Sequence, residues 1–272
     1  MNHSSAPSAP LAALARLHPA LRTGNRLAEE LAQQQREARL TTGLGAVDGL
    51  LGGGFPRGRL SEITGPLSSG RTSLAMALAA AATRAGEVVA WIDPADALDP
   101  ASLDAAGVEA NRLLWVRPSG ARDALHCAER LLLARGFALV VLDLAGGADE
   151  TGNRRAARPR PGQLGGLTDA RSSAWLRLTR CAAVSATALV LLGREPVAGS
   201  FAALAVDLHA TRRRFAERPA WLEGLETRVA LRRHRFGSTE GFAPVCWKVP
   251  PVVPDPMATD LERLDPSCRI AR

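Results

Sequence analysis

Gly65-Pro66-Leu67-Ser68-Ser69-Gly70-Arg71-Thr72-Ser73 is the stretch that decides the fold. It follows a strand candidate, residues 59–64, and precedes an Ala/Leu-rich run suited to a helix, residues 72–84. Strand, glycine-bounded turn and helix start form the context that a phosphate-binding loop requires. Gly65 and Gly70 let the backbone curl until its N–H groups face an anion, and the helix start adds positive potential. The spacing is that of G-x-x-x-x-G-K-[ST], with Thr72 at the hydroxyl position that holds Mg²⁺ and Arg71 where lysine is usual. Lysine reaches the β- and γ-phosphates as a compact point charge, whereas guanidinium is wide and planar, so Arg71 weakens the geometry for hydrolysis. Three readings stay open for the loop: a fold turn without nucleotide, binding without effective turnover, and ATPase activity.

Outward from the loop, apolar runs at 88–93, 113–116, 138–143 and 187–192 read as further strands, with helical segments at 72–84, 120–135 and 167–184. The runs show little polar alternation, which suits strands covered on both faces of a parallel sheet. Asp143 closes the run Val140-Val141-Leu142, where a strand-end carboxylate can help hold Mg²⁺. Taken alone, such an aspartate is as readily a solvated strand end. Strand candidates at 204–208, 227–235 and 243–249 have no clear amphipathic helix between the last two and predict an antiparallel extension at the sheet edge. The chain thus reads as an α/β core over residues 41–249, led by a helical arm at 1–40 and followed by a Pro-rich tail at 250–272. In the arm Leu14, Leu17 and Leu21 recur at helical spacing.

The 272 residues carry 46% apolar side chains and a net charge of +7, enough for one substantial domain and against wholesale disorder. Of 34 basic residues only Lys248 is lysine, and there is no tyrosine. The balance favours nucleic acid or an acidic partner, although arginine also fills protein interfaces. Cys127, Cys181, Cys246 and Cys268 lack paired metal-ligand spacing and read as reduced thiols, so no metal site is expected. No export signal or long apolar span is visible, and the expected location is the cytoplasm, with no membrane partner. His126 and His209 have no catalytic partners in sequence, and Trp91 and Trp115 read as core.

Residues 43–100 resemble the ATPase core of the RecA family. The matching features are Gly52-Gly53-Gly54, Pro56-Arg57-Gly58-Arg59, Glu62-Ile63, Gly65-Pro66, Ser68-Ser69-Gly70, Thr72, Ile92-Asp93 and Ala97-Leu98-Asp99-Pro100. The likeness continues more weakly to about residue 235 and implies a RecA-like phosphate-loop NTPase core, a mainly parallel sheet flanked by helices with an antiparallel edge extension. By the same resemblance the water-activating glutamate is replaced by Ala95, the adenine-stacking aromatic by Ser102, and the Asn-Gln that senses the γ-phosphate by Gly193-Arg194. A methyl group cannot accept a proton. The first DNA-binding loop would fall near residues 149–168, which carry Arg154, Arg155, Arg158 and Arg160. The second is cut to about Pro196-Val197-Ala198-Gly199-Ser200. A second basic stretch contains Arg212, Arg213, Arg214, Arg232, Arg233 and Arg235, and alternation in 227–235 suits one covered face and one basic exposed face. Both stretches are candidates for DNA or partner binding, with a plainly solvated surface as the alternative.

Within that superfamily the altered ATP positions, leading arm and Arg/Pro-rich end resemble the ImuA family of bacterial translesion DNA synthesis. The resemblance implies a non-catalytic accessory protein of the SOS response to DNA damage, a pseudo-ATPase. Its implied partners are ImuB, the error-prone polymerase III alpha homologue and RecA itself, with weak DNA binding. ATP and Mg²⁺ are compatible with such a protein without being required. The alternative is an ATP- and DNA-binding recombinase-like ATPase.

Overall fold

The computed structural model describes residues 38–145, 167–215, 222–235 and 241–248. The arm before residue 38, the tail after 248 and most of the first loop, with Arg154, Arg155, Arg158 and Arg160, lie outside the described residues. The chain begins with β1 (Arg39–Leu40), α1 (Gly45–Leu50), β2 (Phe55–Pro56) and β3 (Leu60–Thr64). Next come α2 (Arg71–Arg84), β4 (Val88–Ile92), α3 (Pro100–Ala105), β5 (Leu113–Val116) and α4 (Ala121–Ala134). Then follow β6 (Phe137–Asp143), α5 (Leu167–Ser185), β7 (Ala188–Leu192), β8 (Leu204–Phe215), β9 (Leu222–His234) and β10 (Phe242–Lys248). The main sheet has eight strands in the order β10-β9-β8-β3-β7-β6-β4-β5. β8, β3, β7, β6, β4 and β5 run parallel, whereas β9 and β10 are antiparallel additions.

Strand β6 shows why the central runs lack polar alternation. Leu139 and Val141 face one layer, with Leu74, Leu78, Trp91 and Val190. Val140 and Leu142 face the other, with Leu132, Trp175, Leu178 and Leu189. Helix α2 covers the first layer, while α4 and α5 cover the second through Ala124, Ala128, Leu132, Trp175 and Leu178. Every residue of β3 and β7 is buried, as expected for a strand between two helical layers.

The extension is longer than its apolar pattern. β8 continues seven residues past Leu208, because its backbone keeps pairing with β9 as far as Phe215↔Leu222. Two short helices, α1 and α3, escape a periodicity reading because six residues give less than two turns. Helix α3 nevertheless carries a local start signal: Pro100 follows Asp99, whose side chain accepts from Ser102 N at 2.9 Å. Among the described residues no helix is long and apolar enough to cross a membrane.

Candidate functional site

The loop between β3 and α2 is curled as its glycines predict, with φ of +145° at Gly65, +57° at Ser68 and +91° at Gly70. Gly65 is required by proximity: a Cβ there would sit 2.3 Å from the Leu208 carbonyl oxygen. The far side of the loop is braced by the antiparallel extension. Thr227 Oγ1 donates to the Ser69 carbonyl at 3.0 Å, and Trp247 Nε1 donates to Thr227 Oγ1 at 3.1 Å. The Trp247 indole lies so close that a Cβ on Gly70 would meet Nε1 at 2.5 Å. Sequence reading placed Trp247 near a strand but gave no sign that it would seat on the loop. Ser68 and Thr72 are exposed, Ser73 is partly buried, and Ser69 is buried with its Oγ unpartnered among the described residues. The first turn of the fourteen-residue α2 carries no acidic residue, so no side chain of that turn offsets its positive end.

Arg71 is held by an internal contact. Its residue is 6% exposed, and Nη1 donates to the Gly193 carbonyl beyond β7 at 2.6 Å. Burial lowers the guanidinium pKa, Asp143 acts against that fall, and Arg194 adds to it. Asp143 ends β6 nearby and is pushed up to about 6. Burial is the main cause and Asp93 adds to it, against the hydrogen bond from Ala145 N and the Arg71 charge. Asp93, buried after β4, accepts from Leu98 N at 2.9 Å through Oδ2, while Oδ1 has no partner among the described residues. Thus the C-terminal ends of β3, β7, β6 and β4, neighbours in the sheet, gather Thr72, Arg71, Asp143 and Asp93, the usual ligand-bearing place in an open parallel sheet.

Comparison with known proteins matches this part of the chain. The family model for the RecA N-terminal domain matches residues 20–150. This segment is similar to RecA. The RecA protein of Picosynechococcus sp. is 41% identical over 112 residues, covering 41% of this chain and 32% of that protein. The RecA of Rubrobacter xylanophilus is 44% identical over 110 residues, 40% and 32% of the two chains. The chain therefore spans about a third of the length of these curated relatives. Among solved structures, the RadB recombinase aligns with a TM-score of 0.56 at 23% identity over 75% of this chain and 94% of its own. The RecA/RadB-like fold, a mainly parallel sheet with helices and an antiparallel edge, is established by that match.

Against the RecA pattern, the curled loop backbone and the exposed Thr72 hydroxyl could receive a phosphate group, and Asp143 stands at the strand end where a Mg²⁺ ligand would be. The side chains that would act on the phosphate do not fit. Arg71 is engaged by Gly193, and Ala95 has no proton acceptor. Asp96 does not replace it: it is exposed and 3.3 Å from Nη1 of Arg117, whose Cζ lies 4.9 Å from the centroid of the Trp115 ring. The Ser102 hydroxyl donates to Asp99 Oδ2 at 2.6 Å and so belongs to the cap of α3. Arg194 is exposed, and its carbonyl accepts from Gly65 N at 3.3 Å.

The shortened second loop is pinned from two sides. Buried Glu62 accepts from Val197 N at 2.6 Å and Ala198 N at 2.8 Å through Oε1. Arg233 Nη1 donates to the Gly199 carbonyl at 2.7 Å and Arg235 Nη2 to the Ser200 carbonyl at 2.8 Å. Arg232 is bound 2.7 Å from Asp207 Oδ2. These three arginines therefore serve the fold first, while Arg212, Arg213 and Arg214 lie exposed on the outer part of β8. Asp207 was missed in sequence; its signal is a charge inside the apolar run 204–208. It also accepts from Thr64 Oγ1 at 2.9 Å and lies 3.0 Å from His209 Nε2. Burial pushes the Asp207 carboxyl up, but hydrogen bonds from Arg232 and Thr64, with the Arg232 and His209 charges, bring it below its ordinary value.

Proposed function

We propose that this RecA-like protein is a non-catalytic accessory factor of mutagenic translesion DNA synthesis, of the ImuA type, acting in the DNA-damage response. The observation that carries the reading is Arg71, buried and donating to Gly193 O at 2.6 Å, in the position where a phosphate-directed lysine would act. Ala95 supports it, since the site has no base there to activate water. The scaffold keeps the loop while its Arg71 side chain is turned to an internal contact, as suits a protein that works by docking. On the ImuA resemblance its partners are ImuB, the error-prone polymerase III alpha homologue and RecA.

The purified full chain is expected to show no ATP turnover above background, with or without single-stranded DNA, and to co-purify with polymerase-type factors after DNA damage. Turnover that rises with single-stranded DNA and vanishes in Thr72→Ala would overturn the proposal. That result would establish the second reading, a recombinase-like ATPase, which the exposed Thr72 and curled loop favour.

A further inference from the structure

The turn that follows β7 is tied to the phosphate-type loop at both of the loop's ends. At the loop's start Gly65 N donates to the Arg194 carbonyl at 3.3 Å, and at its end Arg71 Nη1 donates to the Gly193 carbonyl at 2.6 Å. Gly193 is also held from its other side, because its N–H donates to the Ile63 carbonyl at 3.1 Å. A side chain has no room there: a Cβ on Gly193 would lie 2.9 Å from the Glu195 carbonyl oxygen. Glu62, Arg233 and Arg235 fasten the rest of the turn, from Val197 to Ser200. On this backbone Arg194, Glu195, Pro196 and Val197 are exposed.

The Arg71 bond differs from the other anchors in what it costs to break. Arg71 and Gly193 are both buried, so parting them strands a guanidinium and a carbonyl away from water. That penalty exceeds the loss of an exposed hydrogen bond. Neither end is free to follow the other. Arg71 opens α2, whose Leu74 and Leu78 are fully buried, and Gly193 leaves β7, whose every residue is buried. Each anchor of the turn is a contact of the chain with itself. A phosphate group on the loop could therefore reach the turn through Arg71 only by breaking the 2.6 Å bond. A ligand shifts a conformational equilibrium only by as much as it binds one state better than the other, and that penalty counts against any state with Arg71 released.

We propose that Arg71 is a latch that fixes the turn Gly193–Ser200 in one conformation irrespective of nucleotide. The exposed side chains of Arg194, Glu195, Pro196 and Val197 are then presented on the same backbone with ATP present or absent, and whatever docks on them does so independently of it. Arg71 acts here as a positioning residue, through the Gly193 carbonyl. The latch goes beyond the accessory reading, which says that the site does not turn ATP over; the latch says that the site does not move the turn.

The test is amide hydrogen exchange of the full chain, read by peptide over residues 193–200 and over the buried strand β4 as a control. In the unaltered protein, saturating ATP with Mg²⁺ should leave exchange over 193–200 unchanged within error. R71A should speed exchange there by about 10- to 100-fold, the effect of losing one hydrogen bond from a charged donor, and leave β4 as it was. R71K, which keeps a cation at the position, should give a smaller rise over the same residues, so the latch stays testable if R71A folds poorly. Exchange over 193–200 that changes with ATP in the unaltered protein overturns the proposal. So does an R71A or R71K variant whose turn exchanges as before, or one in which β4 and the turn speed up alike, since Arg71 would then serve general stability. The two readings fail separately: a turn that shifts with ATP while turnover stays absent removes the latch alone, and turnover with an unmoved turn removes the accessory role alone.

Discussion

Replacing Asp143 with Asn should stabilise the protein, and should do so only where the aspartate is ionised. The carboxyl is pushed from its ordinary value to about 6 by burial and by Asp93, so the folded state holds a proton that the unfolded chain releases near pH 3.8. The sign follows from proton binding: between these pH values the native state binds more protons, so stability falls as pH rises. A difference of about 2 units at about 1.36 kcal/mol each amounts to about 3 kcal/mol above pH 7. Near pH 4 the same expression leaves about 0.5 kcal/mol. Asparagine retains an oxygen to accept from Ala145 N, now at 2.9 Å from Oδ1, and carries no charge to desolvate. Urea unfolding followed by circular dichroism at pH 7.5 and pH 4 should therefore show a gain of up to about 3 kcal/mol at the higher pH that largely disappears at the lower. No gain at pH 7.5, or an equal gain at both, would refute the reasoning. A carboxylate kept at such a cost is the kind of group that sites retain for a cation or for chemistry rather than for stability.

Gly70→Ala should cost about 2–4 kcal/mol, from a left-handed φ and the clash with Trp247 Nε1, and adding Trp247→Phe should recover part of the loss; thermal unfolding of both variants checks this. Glu62→Ala should cost about 3 kcal/mol in urea unfolding because Val197 N and Ala198 N lose a charged acceptor, whereas Glu62→Gln keeps an oxygen there and should cost less. Asp207→Asn should destabilise at neutral pH, and the difference from the unaltered protein should close on acidification. The lowered Asp207 pKa gives stability that is present above the unfolded value and lost as pH falls through the folded one, which unfolding at stepped pH would read.

Much of the fold was legible because its signals are local. Gly65 and Gly70 mark a turn whose φ values and close contacts exclude side chains, and the strand runs lack alternation because both faces are covered. Alternation in β9 also foretold its buried Thr227, Val229 and Leu231 against exposed Arg228 and Arg232. The lengths of β8 and β9 were not legible, since beyond Leu208 pairing is held by backbone hydrogen bonds that no apolar pattern records.

The sequence by itself determined that a curled, glycine-bounded loop would join a buried strand to a helix in a RecA-like sheet, and that lysine would be absent from it. Backbone conformation and burial are short-range properties, written in neighbouring residues. Tertiary structure alone decided where the charges point. Arg71 meets Gly193 122 positions away, Thr227 meets Ser69 across 158, and Trp247 joins them through Thr227. Strand order brought those partners together, and the register of β8, β9 and β10 separated arginines that brace the fold from those on the open face. A guanidinium takes whichever acceptor the packed sheet sets within its reach, and that depends on the position of distant strands rather than on adjacent residues.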